Sequence, residues 1–292
     1  MAKNKTAFLI TIFIFSFFLK TLRINLNLIN LPTLVLSSLI PILLFFLIKQ
    51  IDQKSEKIAI ISSIILTINP YNIYFSPTTW KINFLLFLLL STMWLFSKYF
   101  NNKNFKYLIL IIIPLVFSLF FIDNNSGSYP QDNNRIQTII NETNSFEYHL
   151  FYGQPQLFIR NFSTRYFNYF SQEFLIFGDT FANPRHGVIL YCSIFFLILG
   201  IFISLSIKKI QKINLIFFIW LLTAPIPAAL SPELINTDKA FLLSIPLIYF
   251  ISLGIYFFLI KYKNKLAYSF VIFAYLLSFI YYLDMYLNHF IK

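Results

Sequence analysis

The stretch LINLPTLVLSSLIPILLFFLI, residues 28–48, carries no charged side chain and is followed at once by Lys49. As a helix it is long enough to cross a hydrocarbon core of roughly 30 Å. Runs of this kind recur along the chain, at about 6–22, 28–48, 58–76, 81–97, 105–122, 187–206, 213–231, 240–260 and 266–288. A soluble core for 292 residues would not need so many. Composition agrees: 58% of residues are hydrophobic and only 12% charged, where soluble domains carry roughly 25% charged residues. The expected fold is an all-α polytopic membrane protein with about nine transmembrane helices. Its parts are an N-terminal bundle of about five helices (1–122), a large polar loop (123–187) and a C-terminal bundle of about four helices (188–292). Pro41, Pro114, Pro225, Pro227 and Pro246 fall within these runs and are expected to kink them.

The net charge of +12 belongs to the loops and not to a nucleic-acid surface. With the N-terminus in the cytoplasm, the inner segments hold Lys3 and Lys5; Lys49, Lys54 and Lys57; Lys98, Lys103 and Lys106; Lys208, Lys209 and Lys212; and Lys261, Lys263 and Lys265. Those are most of the 23 basic residues, packed into five short segments. This is the distribution that the positive-inside rule requires. All of the 11 acids except Asp52 and Glu56 fall on the other side, with His149, His186 and His289. A functional site is therefore expected to face outward, from a plasma (inner) membrane. The first run follows Met1-Ala-Lys-Asn-Lys without a small-x-small cleavage site, so it reads as an uncleaved first helix. The single cysteine, Cys192, excludes an intrachain disulfide and a cysteine-based zinc site. No carboxylate cluster calls for a metal ion, and neither a metal nor another cofactor is expected.

Within the loop, residues 123–135 are turn-rich and polar. Residues 157–177, LFIRNFSTRYFNYFSQEFLIF, place Phe158, Phe162, Tyr166, Phe170 and Phe174 four apart, with Arg160, Ser163, Thr164, Ser171 and Gln172 between them. That spacing predicts an amphipathic helix lying at the membrane interface, ended by Gly178 as a C-cap. Arg185 and His186 follow just before the next apolar run. An arginine there is suited either to chelating a phosphate or to anchoring among lipid headgroups.

Four stretches resemble the C superfamily of membrane glycosyltransferases, and among them the bacterial relatives of protein mannosyltransferases and lipid A aminoarabinose transferases. They are Phe170-Ser-Gln-Glu-Phe-Leu-Ile-Phe-Gly-Asp179 with Pro184-Arg-His186; Ile68-Asn-Pro-Tyr-Asn-Ile-Tyr-Phe-Ser76; Trp220-Leu-Leu-Thr-Ala-Pro-Ile-Pro-Ala-Ala229; and Asp238-Lys-Ala-Phe-Leu-Leu-Ser-Ile-Pro246. The resemblance implies transfer of a sugar from a polyprenyl-phosphate donor to a lipid, glycan or protein acceptor on the extracytoplasmic face. It implies Arg185, His186, Arg165 and Lys239 as ligands of the lipid phosphate. The family's catalytic carboxylate lies in a long first outer loop. Here that loop is KTLRINLNLINL, residues 20–31, which has neither Asp nor Glu. A substitute base would come from Asp179, Glu173, Glu233 or Asp238, and spacing selects none of them. Other departures are Ser171-Gln where Ser-Pro is common, Arg-His-Gly where Arg-His-Ser is common, Lys239 where an arginine is usual, and a helix pair fewer after the fourth span. The missing acid keeps a second reading open: a non-catalytic homologue that acts as scaffold, partner subunit or lipid-phosphate binder. A transporter or lipid flippase is a third.

Overall fold

A computed structural model of the chain describes residues 2–21, 31–52, 55–75, 80–102, 154–177, 187–206, 211–230 and 240–289. Almost all of these are helical, and no strand occurs among them. In chain order the helices are α1 (Ala2–Thr21), α2 (Leu31–Ile51), α3 (Glu56–Ile68), α4 (Pro70–Phe75), α5 (Trp80–Asn102), α6 (Gln154–Asn168), α7 (Ser193–Ser206), α8 (Gln211–Thr223), α9 (Ile226–Ala229), α10 (Ser244–Tyr262) and α11 (Lys265–His289). A π-helical turn, Glu173–Phe177, lies between α6 and α7, and a 3-10 turn, Phe241–Leu243, leads into α10.

Among the described residues, three helical stretches are long and apolar enough to cross a membrane: Leu31–Ile51, Phe241–Tyr262 and Lys265–Met285. Shorter apolar helices cover Asn83–Tyr99, Ser193–Ser206 and Ile213–Ala229. The run at 105–122 lies outside the described residues.

The core is built around α10. Every residue from Ser244 to Ile255 is buried, as expected of a helix that is apolar on all faces. Its principal neighbours are α7 and α3, with α8 and α11 beside them. α2 in turn packs against α5, α3 and α1. The α3–α10 contact makes one continuous core of the helices before and after the polar loop. α11 is different: Leu266, Phe270, Phe273 and Leu277 are exposed along its length, the pattern of a helix that meets lipid on one side.

The α7–α10 crossing depends on two glycines. A Cβ on Gly200 would run into the Phe250 carbonyl, and one on Gly254 into the Phe196 carbonyl. The two backbones approach that closely because neither position carries a side chain, the small-residue device of membrane helix pairs.

Several expected elements differ in detail. The run at 58–76 is two helices, because Pro70 lacks an N–H and disfavours helical backbone at the residue before it; Asn69 is extended, with φ −69 and ψ 128. The run at 213–231 is broken at Ala224 and Pro225 for the same reason. Pro246 does not kink α10. It sits in the first turn, where its missing N–H has no helical partner to lose. The run at 187–206 becomes helical only at Ser193. The interfacial helix expected over 157–177 ends at Asn168 and is followed by the separate π turn. Gly178, its expected C-cap, lies outside the described residues.

Candidate functional site

The two ends of the bundle differ in chemistry. At one end Lys5 pairs with Glu56 at 2.6 Å. The bond to Lys5 holds the Glu56 carboxyl below its ordinary range, and the same bond, opposed by slight desolvation, raises the Lys5 ammonium. Lys49 adds a further favourable charge beside Glu56. α3 starts at this end with Glu56 and runs 13 residues to Ile68, about 20 Å away. α11 reaches the far end too, since Tyr282 donates a hydrogen bond to the Pro70 carbonyl at 3.2 Å. Its first residue, Lys265, is then about 25 Å from that contact. Lys5, Lys49 and Lys265 therefore share the end remote from Pro70, as the lysine pattern requires.

The far end is assembled around the α3–α4 break. Asn69 acts as the N-cap of α4: its Oδ1 accepts from the Asn72 N–H at 3.1 Å, the usual satisfaction of a first-turn donor. Asn72 Nδ2 donates back to the Leu66 carbonyl at 2.9 Å, tying off the last turn of α3. Asn69 Nδ2 donates to the Val188 carbonyl at 2.9 Å. Both side chains are fully enclosed, so these bonds answer donors and acceptors that water cannot reach.

Val188 belongs to a non-helical segment that closes onto the π turn. The N–H groups of Gly187, Val188 and Ile189 donate to the carbonyls of Ile176, Phe174 and Leu175 at 2.9, 3.3 and 3.1 Å. Those carbonyls are the orphan acceptors of a helical terminus. Ser171 starts the same turn, its Oγ accepting from the Phe174 N–H at 3.2 Å. Gly187 has no room for a side chain, since a Cβ there would meet the backbone of Leu175 and Ile176. This close approach is the local reason that glycine occupies the position after Arg185-His186. The break before Ser193 has the same origin: residues 187–189 spend their N–H groups on the π turn, not on a helix.

Two further contacts complete the assembly. The Tyr71 ring lies 5.2 Å from that of Phe241. α6 packs against α9, and Tyr166 donates to the Leu222 carbonyl at 2.8 Å; burial pushes its phenol upward. On α6 the aromatic stripe runs through Phe162, Tyr166 and Phe170 in ring contact. Phe174 leaves the stripe because α6 has ended, and it is buried edge-on against Tyr169 at 5.0 Å. The described parts of the four stretches quoted from the sequence, scattered between Ile68 and Pro246, thus meet at one end of the bundle.

Of the residues singled out for chemistry, Arg165 lies partly buried on α6 and Glu173 is exposed at the start of the π turn. Asp179, Arg185, His186, Glu233, Asp238 and Lys239 lie outside the described residues. In sequence, Arg185-His186 directly precedes Gly187 and Lys239 directly precedes the buried Ala240. Among the described residues no group of three His, Cys, Asp or Glu side chains could hold a metal ion. Asn69 and Asn72, which carry this end mechanically, were legible only as part of a motif; the signal was an Asn-Pro pair closing an apolar run. Lys20, considered below, gave no signal beyond its place at the end of the first run.

No family model, no curated protein and no solved structure matches the chain.

Proposed function

We propose that this chain is a membrane glycosyltransferase that moves a sugar from a polyprenyl-phosphate donor to an acceptor on the extracytoplasmic face. The observation that carries the reading is that the described parts of the four stretches meet at the end of the bundle away from Lys5, Lys49 and Lys265. A site for a lipid-borne donor belongs at such an end, where an aromatic amphipathic helix offers a surface at the bilayer interface. In this reading Arg185, His186, Arg165 and Lys239 hold the lipid phosphate. Fixed cations stabilise the charge that grows on the phosphate as the sugar–phosphate bond breaks. One of Asp179, Glu173, Glu233 or Asp238 takes the proton of the acceptor hydroxyl as its oxygen bonds to the sugar. Polyprenyl phosphate is the leaving group. The protein sits in the plasma membrane with about nine spans, its N-terminus cytoplasmic and its large loop outside.

The test is incubation of purified protein in lipid vesicles with polyprenyl-phosphate sugars, scoring release of polyprenyl phosphate. Turnover is expected, and Arg185→Ala is expected to weaken donor binding. Lipid binding unchanged in Arg185→Ala would remove the phosphate assignment. A second reading is favoured by one observation: residues 20–31 contain no carboxylate. It is a non-catalytic homologue that binds lipid phosphate and works as a scaffold or with a partner subunit supplying the missing acid. Donor binding without any turnover selects it.

A further inference from the structure

We propose that Lys20 is the buried cation of a phosphate-binding site on α1, level with the α3–α4 break. Its side chain is wholly enclosed, at 0% exposure, and its Nζ has no hydrogen-bond partner among the described residues. A lysine one residue from a helix end ordinarily snorkels, laying its stem on apolar surface and keeping the ammonium in water. This one is turned inward. Burial without a counter-charge disfavours the ammonium, and an anion at Nζ would remove that penalty.

The height of Lys20 follows from the ion pair at the other end. Lys5 touches Glu56, and Lys20 lies 15 residues further along the same helix, about 22 Å. Asn69 is a similar distance from Glu56 along α3. α1 packs against α2, α3 and α4, and α4 is the helix that Asn69 caps. Lys20 therefore belongs to the end where the four stretches meet. Glu56 is a helix length away, and Glu173 and Asp284 are exposed.

A second unsatisfied group lies on the same helix. Ser16 is one turn earlier on the same face of α1, also at 0% exposure, and its Oγ has no partner. An ammonium with three donors and a hydroxyl on one helical face form a donor set for an oxyanion with several acceptor oxygens. Lysine is a habitual phosphate ligand, acting as a compact point charge. That the site takes an anion rests on burial; that the anion is phosphate rests on the function proposed above.

The experiment compares wild type with Lys20→Met, which keeps the apolar stem and removes the charge. Each protein is placed in phosphatidylcholine vesicles and its Tm is followed in two arms: added polyprenyl phosphate, and added inorganic phosphate. A Tm increase in the lipid arm alone identifies a lipid phosphate, and an increase in both a free phosphate site. In either case Lys20→Met is expected to bind at least about tenfold more weakly, the scale of one charged hydrogen bond. Without ligand, Lys20→Met is expected to fold with an equal or higher Tm. The proposal is overturned if neither arm raises the wild-type Tm, if Lys20→Met binds as wild type does, or if Lys20→Met fails to fold. The last result would mean that the amine serves the empty structure. Lys20-dependent phosphate binding without sugar transfer removes the proposed enzyme and leaves this site. Transfer that survives Lys20→Met does the reverse.

Discussion

Asn69 does two jobs with one amide: it caps α4 by accepting from the Asn72 N–H, and it holds the segment before α7 through Val188. Asn69→Ala would leave a buried carbonyl and a buried N–H unpaired, each costing about 1–3 kcal/mol. We expect a loss of about 2–4 kcal/mol in unfolding measurements. Asn69→Asp keeps the acceptor for Asn72 but turns a buried carboxylate oxygen towards the Val188 carbonyl, so it should recover none of the loss at neutral pH. Gly187 is bound by space and not by backbone angle. Gly187→Ser should cost about 2 kcal/mol or more, because the Cβ meets backbone that cannot move aside. Lys263 is the reverse case. It ends α10 with φ at +40, a conformation that suits glycine. Lys263→Gly should raise stability by about 1 kcal/mol, read as an increase in Tm.

At the scale of elements, the pairing of α7 with α10 is set by Gly200 and Gly254. Either one changed to alanine places a methyl against the facing carbonyl. We expect a separation of the two helices and a loss of about 1–3 kcal/mol, with the larger loss when both are changed. The Lys5–Glu56 contact joins the start of α1 to the start of α3 and responds to pH. Glu56 has a depressed pKa, so its contribution is complete above the ordinary value of 4.5 and is lost as pH falls through the folded value. Lys5 has a raised pKa, so its contribution is complete below its ordinary 10.5 and is lost above it. Both groups are largely solvated, so added salt should flatten the effect. Comparing Glu56→Gln with wild type across acid pH, at low and high salt, checks the direction.

For the whole molecule, the two chemically distinct ends make orientation measurable. In a Cys192→Ser background, Gln172→Cys lies at the assembled end and Lys265→Cys at the lysine end, and both positions are exposed. A membrane-impermeant maleimide added to intact cells should label the first and not the second until the membrane is opened. The reverse pattern would invert the topology and remove the proposed outward site. The helical, membrane-type character of the chain was legible early, because an apolar run of twenty residues has few other uses. Element ends were legible where proline or a capping residue stood, as at Asn69-Pro70. They were obscure where a distant partner decided the matter: residues 187–192 read as apolar helix, yet the N–H groups of 187–189 are taken by a turn ten residues earlier.

Hydrophobic run length is a local property, so the sequence by itself determined the helical class. The four-residue aromatic spacing on α6 was likewise local, and it held as far as the helix did. Only the tertiary structure decided that stretches scattered between Ile68 and Pro246 share one end, because that depends on which helices pack side by side. Only it decided, too, that Lys20 is enclosed while Lys5, at the other end of the same helix, meets Glu56 and water. The two lysines look alike in sequence. Their difference is a matter of what surrounds them, and burial is a property of the assembled chain.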